Sequence, residues 1–163
     1  MEQKASYRFK IAGIPVSVNQ MYSIAHGRKF LSTRARQCKN DMKCFVKRPK
    51  DMGFNSDTDV IHMIYTYVAQ WHNKGDGKVK HKDGPNHDKM LHDAVCEMLG
   101  IDDMYLWDWH GNKKQTEDGK DWTYVEVQIW RTNKQLKKKS PTSLEKPKIS
   151  KESGTEDVLG VEE

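Results

Sequence analysis

The stretch KDGPNHDKMLHDAVCEMLGIDD, residues 82–103, decides how the rest of the chain is read. Met90, Leu91, Ala94, Val95, Met98 and Leu99 recur at the spacing of a 3.6-residue helix and line one apolar stripe. Gly100 follows the last apolar turn, where a left-handed cap ends a helix. Asp83, Gly84, Pro85 and Asn86 supply turn chemistry in front, with Asn86 as the expected N-cap. A second face carries Asn86, Lys89, His92 and Asp93, all polar. Acids bracket the helix, Asp83 before it and Asp102 and Asp103 after it.

Strands are expected on either side of this helix. Residues 60–71, VIHMIYTYVAQW, are rich in β-branched and aromatic side chains and read as the long central strand. Residues 104–110 read as a strand, 111–121 as a turn region, and 122–131, WTYVEVQIWR, as a last strand with clean alternation. Upstream, residues 7–17 alternate as a strand ended near Pro15, and 18–28 read as a loop. Residues 30–32 form a short strand, with Ser32 or Thr33 capping a basic helix over 34–45. The order β, α, β, α, β, β implies an α+β domain, two helices packed on a mixed sheet of about four strands.

The chain has 163 residues, enough for a single domain with one core. Only 36% of residues are hydrophobic and 31% are charged, so part of the chain is expected outside that core. That part is 132–163, poor in apolar residues and read as a disordered tail on a domain at 1–131. No stretch approaches the roughly 20 apolar residues of a bilayer span, and no signal peptide opens the sequence. Cys38, Cys44 and Cys96 are scattered and odd in number, as free thiols of a reducing cytoplasm would be.

The net charge of +5 leans toward a polyanionic partner. The tail holds seven lysines against six acids, so the excess belongs almost wholly to the body. Basic residues concentrate at Arg28 and Lys29, at Arg34 and Arg36 on the second helix, and at Lys78, Lys80 and Lys82 in a glycine-punctuated loop. Each group has two readings, a solvated surface or a phosphate contact.

Asp83, Asn86, Lys89 and Asp93 fit the run D-x-D-N-x-x-K-x-x-x-D-A-[LV], and Asp102-Asp103 stands where a DD pair opens the next strand. IPVSVNQMY, residues 14–22, fits P-x-S-x-N-x-x-Y, and GRKFLSTRARQ, residues 27–37, fits G-R-x-[YF]-x-S-x-x-A-R. In these three pieces, taken in order, the chain resembles the RusA-like Holliday junction resolvases over about residues 7–131. The resemblance implies a magnesium-dependent endodeoxyribonuclease, with manganese as a possible substitute, that resolves four-way and other branched DNA junctions by paired cuts. It implies a homodimer working in the cytoplasm of a bacterium or phage-infected host.

Under that resemblance Asp83, Lys89, Asp103 and Asn86 are the candidate catalytic residues, and Asp83, Asp103, Asp102 and Asp88 the candidate metal ligands. Hard carboxylate oxygens suit magnesium, and a lysine offers a point charge to the scissile phosphate. One departure is plain: Pro85 occupies the place of the family's second aspartate. Asp88 is the nearest acid that could replace it, or it simply serves the helix dipole. A protein that binds junctions and cuts poorly is the alternative reading. The helix would hold Asp83 and Asp103 apart by roughly 20 Å at 1.5 Å per residue, so the loops fold back or a second subunit supplies one acid.

Overall fold

A computed structural model describes residues 1–80 and 84–132. Its centre is a four-stranded mixed sheet in the order β1-β6-β4-β5. The strands are β1 (Glu2–Ala12), β4 (Asp59–Ala69), β5 (Leu106–Gln115) and β6 (Trp122–Arg131). β6 lies antiparallel between β1 and β4, while β5 runs parallel to β4. A parallel pair needs a crossover, and helix α3 (Pro85–Leu99) supplies it. Helix α2 (Thr33–Met42) and the single turn α1 (Val18–Met21) pack beside α3, and β2 (Tyr22–Ala25) pairs with β3 (Arg28–Leu31) as a hairpin.

All the helices cover one face of the sheet. On β4 the inward residues Ile61, Met63, Tyr65, Tyr67 and Ala69 are buried, as are Val125, Val127 and Ile129 on β6. α3 meets them with Met90, Leu91, Ala94, Val95 and Leu99, and α2 adds Ala35 and Met42. The opposite face leaves Ile64 and Tyr124 exposed, as an antiparallel sheet with one wet side allows. The α+β architecture expected from the sequence is therefore present, with α1 and β2 inside what reads as the loop 18–28 and β3 overlapping the short strand expected at 30–32.

The helix ends follow local chemistry. Gly100 adopts φ 64°, Gly100 N donates to Glu97 O and Ile101 N to Cys96 O, which is a Schellman cap. Arg48 Nη1 donates to Leu99 O at 2.6 Å and satisfies a further terminal carbonyl. Ser32 caps α2, its Oγ accepting from Ala35 N at 3.1 Å. Asn86 is not the N-cap of α3: Gly84 holds that place, with Pro85 at N1, where its missing N–H costs nothing.

Several boundaries move because pairing outweighs local preference. β1 begins at Glu2, not at residue 7, since Glu2 pairs with Arg131, and it stops at Ala12 before Gly13 at φ 80°. α2 ends at Met42, short of residue 45. β5 starts at Leu106 and continues through Gly111 to Gln115, where the sequence reads as a turn, because Tyr65 to Ala69 of β4 pair with it throughout. Gly111 is required there: a Cβ would lie 2.5 Å from Tyr65 Cε2. Thr132 N still donates to Thr58 O, so the body reaches that residue. The tail expectation, from residue 133 on, lies outside the described residues.

Candidate active site

The first turns of α3 sit between two clefts. One, of about 400 Å³, is lined by Pro85, Asp88, Lys89, His92 and Asp93 from α3 and by Asp103, Leu106 and Trp109. The other, of about 460 Å³, is lined by residues 14–17, Asn19, Gln20, Arg34, Asn86, His87 and Asp121. His87 joins the two halves, its Nδ1 lying 2.5 Å from Pro15 O.

Asp103 reaches the first cleft because the chain turns back after Gly100. Ile101 is buried, and residues 103–105 form one 3-10 turn that leads into β5. Asp103 thus stands against the part of α3 that carries Lys89, within one chain, despite the length of the helix. Asp102 caps that turn, its Oδ1 accepting from Met104 N at 3.0 Å. Asp83 and Lys82 lie outside the described residues.

The described side chains constrain one another. Asp88 accepts a hydrogen bond from the Tyr67 hydroxyl at 2.9 Å. Burial, with the charge of Asp88 beside it, pushes the Tyr67 hydroxyl well above its ordinary pKa, so it stays protonated and donates. Lys89 Nζ pairs with Asp93 Oδ2 at 3.2 Å, and that hydrogen bond raises the lysine's pKa, with Tyr22 and Asp103 adding to it. His92 lies edge-on to the rings of Tyr65 and Trp109 at 5.5 and 5.4 Å. Burial lowers its pKa despite Asp88, Asp93 and Asp103 nearby, and its Nε2 has no hydrogen-bond partner among the described residues.

Asp88 and Asp103 could each offer a metal an oxygen from this cleft. They do not make a ligand set alone, since among the described residues no three His, Cys, Asp or Glu stand close enough to hold an ion.

The expected phosphate contacts separate. Arg34 comes to Asn86 in the second cleft. Arg28 and Lys29 sit on β3, exposed, with Lys29 Nζ 3.9 Å from the Tyr22 ring. Arg36 is exposed on α2 near Thr33. Lys78 lies in a short tight turn, 3.8 Å from Asp76, and Lys80 N donates to Trp71 O. Arg34 thus lines a cleft at the site, while Arg28, Lys29, Arg36, Lys78 and Lys80 line neither cleft. The glycine-rich loop is tied by a His72–Val79 bridge through Lys80.

Sequence reasoning missed Trp109 and Lys113, and placed His92 on the polar face of the helix without giving it a role. Lys113 leans on Trp71 at 5.0 Å, and its Cε fills the space a Cβ on Gly84 would need, at the very start of α3. It was hidden because residues 111–121 read as a turn. Gly111 and Asn112 hid the strand that carries it.

No family model and no curated protein matches the chain.

Proposed function

We propose that the chain is a RusA-like endodeoxyribonuclease that hydrolyses phosphodiesters in branched DNA, four-way junctions above all. One observation carries the reading. Two neighbouring pieces near the start of the chain, 14–22 and 27–37, meet the distant third at the first turns of α3. Ser17 and Asn19 from the first and Arg34 from the second line one cleft with Asn86, while Asp88, Lys89 and Asp103 line the other. A chance likeness in three separate segments gives no reason for them to converge.

The charges also favour a cation cofactor. Asp88, Asp93 and Asp103 face the cleft against Lys89 alone among the described side chains that line it. A phosphate would be repelled there unless a cation accompanied it. Magnesium, when bound, would make a water nucleophilic and stabilise charge on the phosphate; manganese is the substitute. Lys89 offers its ammonium to the phosphate, Asp103 accepts from the attacking water or holds the ion, and Arg34 with Asn86 grips the backbone outside the cut. Paired cuts call for a homodimer, and the protein's place would be the cytoplasm. No described helix is long and apolar enough to cross a membrane.

A second reading is a junction-binding protein that cuts weakly or not at all. Pro85 in the place of an acid, and the lack of a three-donor group among the described residues, favour it. The test is incubation of wild type and Asp103→Asn with a labelled four-way junction and magnesium. Paired nicks from wild type alone support the nuclease; tight binding with no nicks from either supports the second reading. Failure to prefer a junction over linear duplex sinks both.

A further inference from the structure

β5 ends the sheet, and its middle residues, from Trp107 to Lys114, are all exposed. Trp107 and Trp109 keep 59% and 52% of their surface in water, beside the first cleft. A long open edge of this kind is a template for another strand. Its backbone direction can be read from its neighbours. Lys114 O accepts from the Trp71 indole, and Thr116 N donates to Ala69 O, so even-numbered residues turn their backbone groups toward β4. The N–H and C=O groups of Trp109 and Gly111 therefore point outward, and no described strand lies beyond them.

The side chains along this edge are self-complementary. Asp108 and Lys114 lie three residues to either side of Gly111 and share the helix-free face of the sheet. An antiparallel pair of two β5 strands with Gly111 on the two-fold axis keeps outward backbone groups opposite one another. It also sets Asp108 across from Lys114 of the partner subunit, twice over. These are the narrow, non-hydrogen-bonded positions, where Cα atoms approach to about 4.5 Å and opposite charges act most strongly. Shifting the register by two residues either way loses both pairs. The other edge, β1, already engages Lys4 and Arg8 with Asp59 and Glu126 of its own chain.

We propose that the chain dimerises through β5, joining two sheets into one continuous sheet with Asp108 and Lys114 as the reciprocal ion pairs. This goes beyond the nuclease reading, which needs two subunits but names no surface. It places both first clefts on one side of the joined sheet, next to the two-fold axis, because Trp109 belongs to both edge and cleft.

Analytical ultracentrifugation of wild type, Asp108→Lys, Lys114→Asp and the double variant tests it, with circular dichroism to check folding. Wild type should be a dimer at micromolar concentration. Each single reversal should weaken it on the order of tenfold or more, and the double variant should recover it. A monomeric wild type overturns the proposal. So do folded single variants that dimerise like wild type, which would place the interface on another face, and a folded double variant that stays monomeric. Charge-dependent pairing in a protein that cuts no DNA would sink the nuclease reading alone. Cleavage by a dimer indifferent to these charges would sink only the pairing.

Discussion

The Tyr67 hydroxyl donates to Asp88 Oδ1 at 2.9 Å, so the buried centre of β4 holds the acid in the first turn of α3. Asp88 is therefore not simply a solvated partner of the helix dipole. One of its oxygens is fixed by the core, and its side chain lines the same cleft as Asp103. Under the proposed function, such a pre-set acid would stand in for the aspartate that Pro85 replaces.

Asp88→Asn should cost little stability, within about 1 kcal/mol of dipole interaction. It should raise the magnesium concentration for half-maximal junction cleavage about tenfold, and Pro85→Asp should restore the original requirement. A magnesium titration of nicking rate checks this. An unchanged curve would leave Asp103 and Asp83 as the acids that matter.

Lys89 and Asp93 make a second, separable test. Lys89→Met should lower cleavage by roughly a hundredfold or more, the usual loss when a group stabilising developing charge is removed. Asp93→Asn should leave cleavage within a few-fold while tightening junction binding, because it removes negative charge from the cleft. Stability should change by no more than about 0.5 kcal/mol, the pair being partly exposed. Single-turnover rates and gel-shift affinities separate the two effects.

Asp59 gives a prediction about acid. It is fully buried at the start of β4, with Lys4 Nζ at 2.6 Å and hydrogen bonds from Asn55 N and Thr58 Oγ1. Burial works to raise its pKa, but these partners outweigh it and hold the carboxyl below its ordinary range. A depressed carboxylate stabilises the fold above the unfolded pKa, near 3.9, and that contribution disappears as pH falls through the folded value. Asp59→Asn should lose on the order of 1–3 kcal/mol at pH 7 and show a flatter decline below pH 4. Urea unfolding at both pH values checks it; equal losses at the two would refute the linkage.

Gly111→Ala should destabilise the protein by about 1–3 kcal/mol, since the new Cβ would press on the Tyr65 ring, which is fully buried and cannot swing aside. Tyr65→Phe should relieve little, because the nearest approach is to the ring carbon and not the hydroxyl. Thermal midpoints of the two single variants and the pair measure this. A neutral Gly111→Ala would mean β5 sits farther from β4 than described here.

The body and C-terminal end of helix α3 were legible in the sequence, because the apolar stripe from Met90 to Leu99 and the glycine after it are local signals. The alternation of residues 122–131 likewise marked β6. Local pattern could not give the length of β5. Gly111 and Asn112 look like a turn, and only the parallel partner β4 keeps them extended. Nor could spacing in the chain show that Asp103 returns to Lys89, that His87 reaches Pro15, or that Lys113 lies at the start of α3. Those meetings depend on the crossover that carries α3 back along the sheet. The sequence determined which residue types could do the chemistry, and the tertiary structure decided which of them share a cleft, because proximity across a sheet follows from pairing and packing, not from separation along the chain.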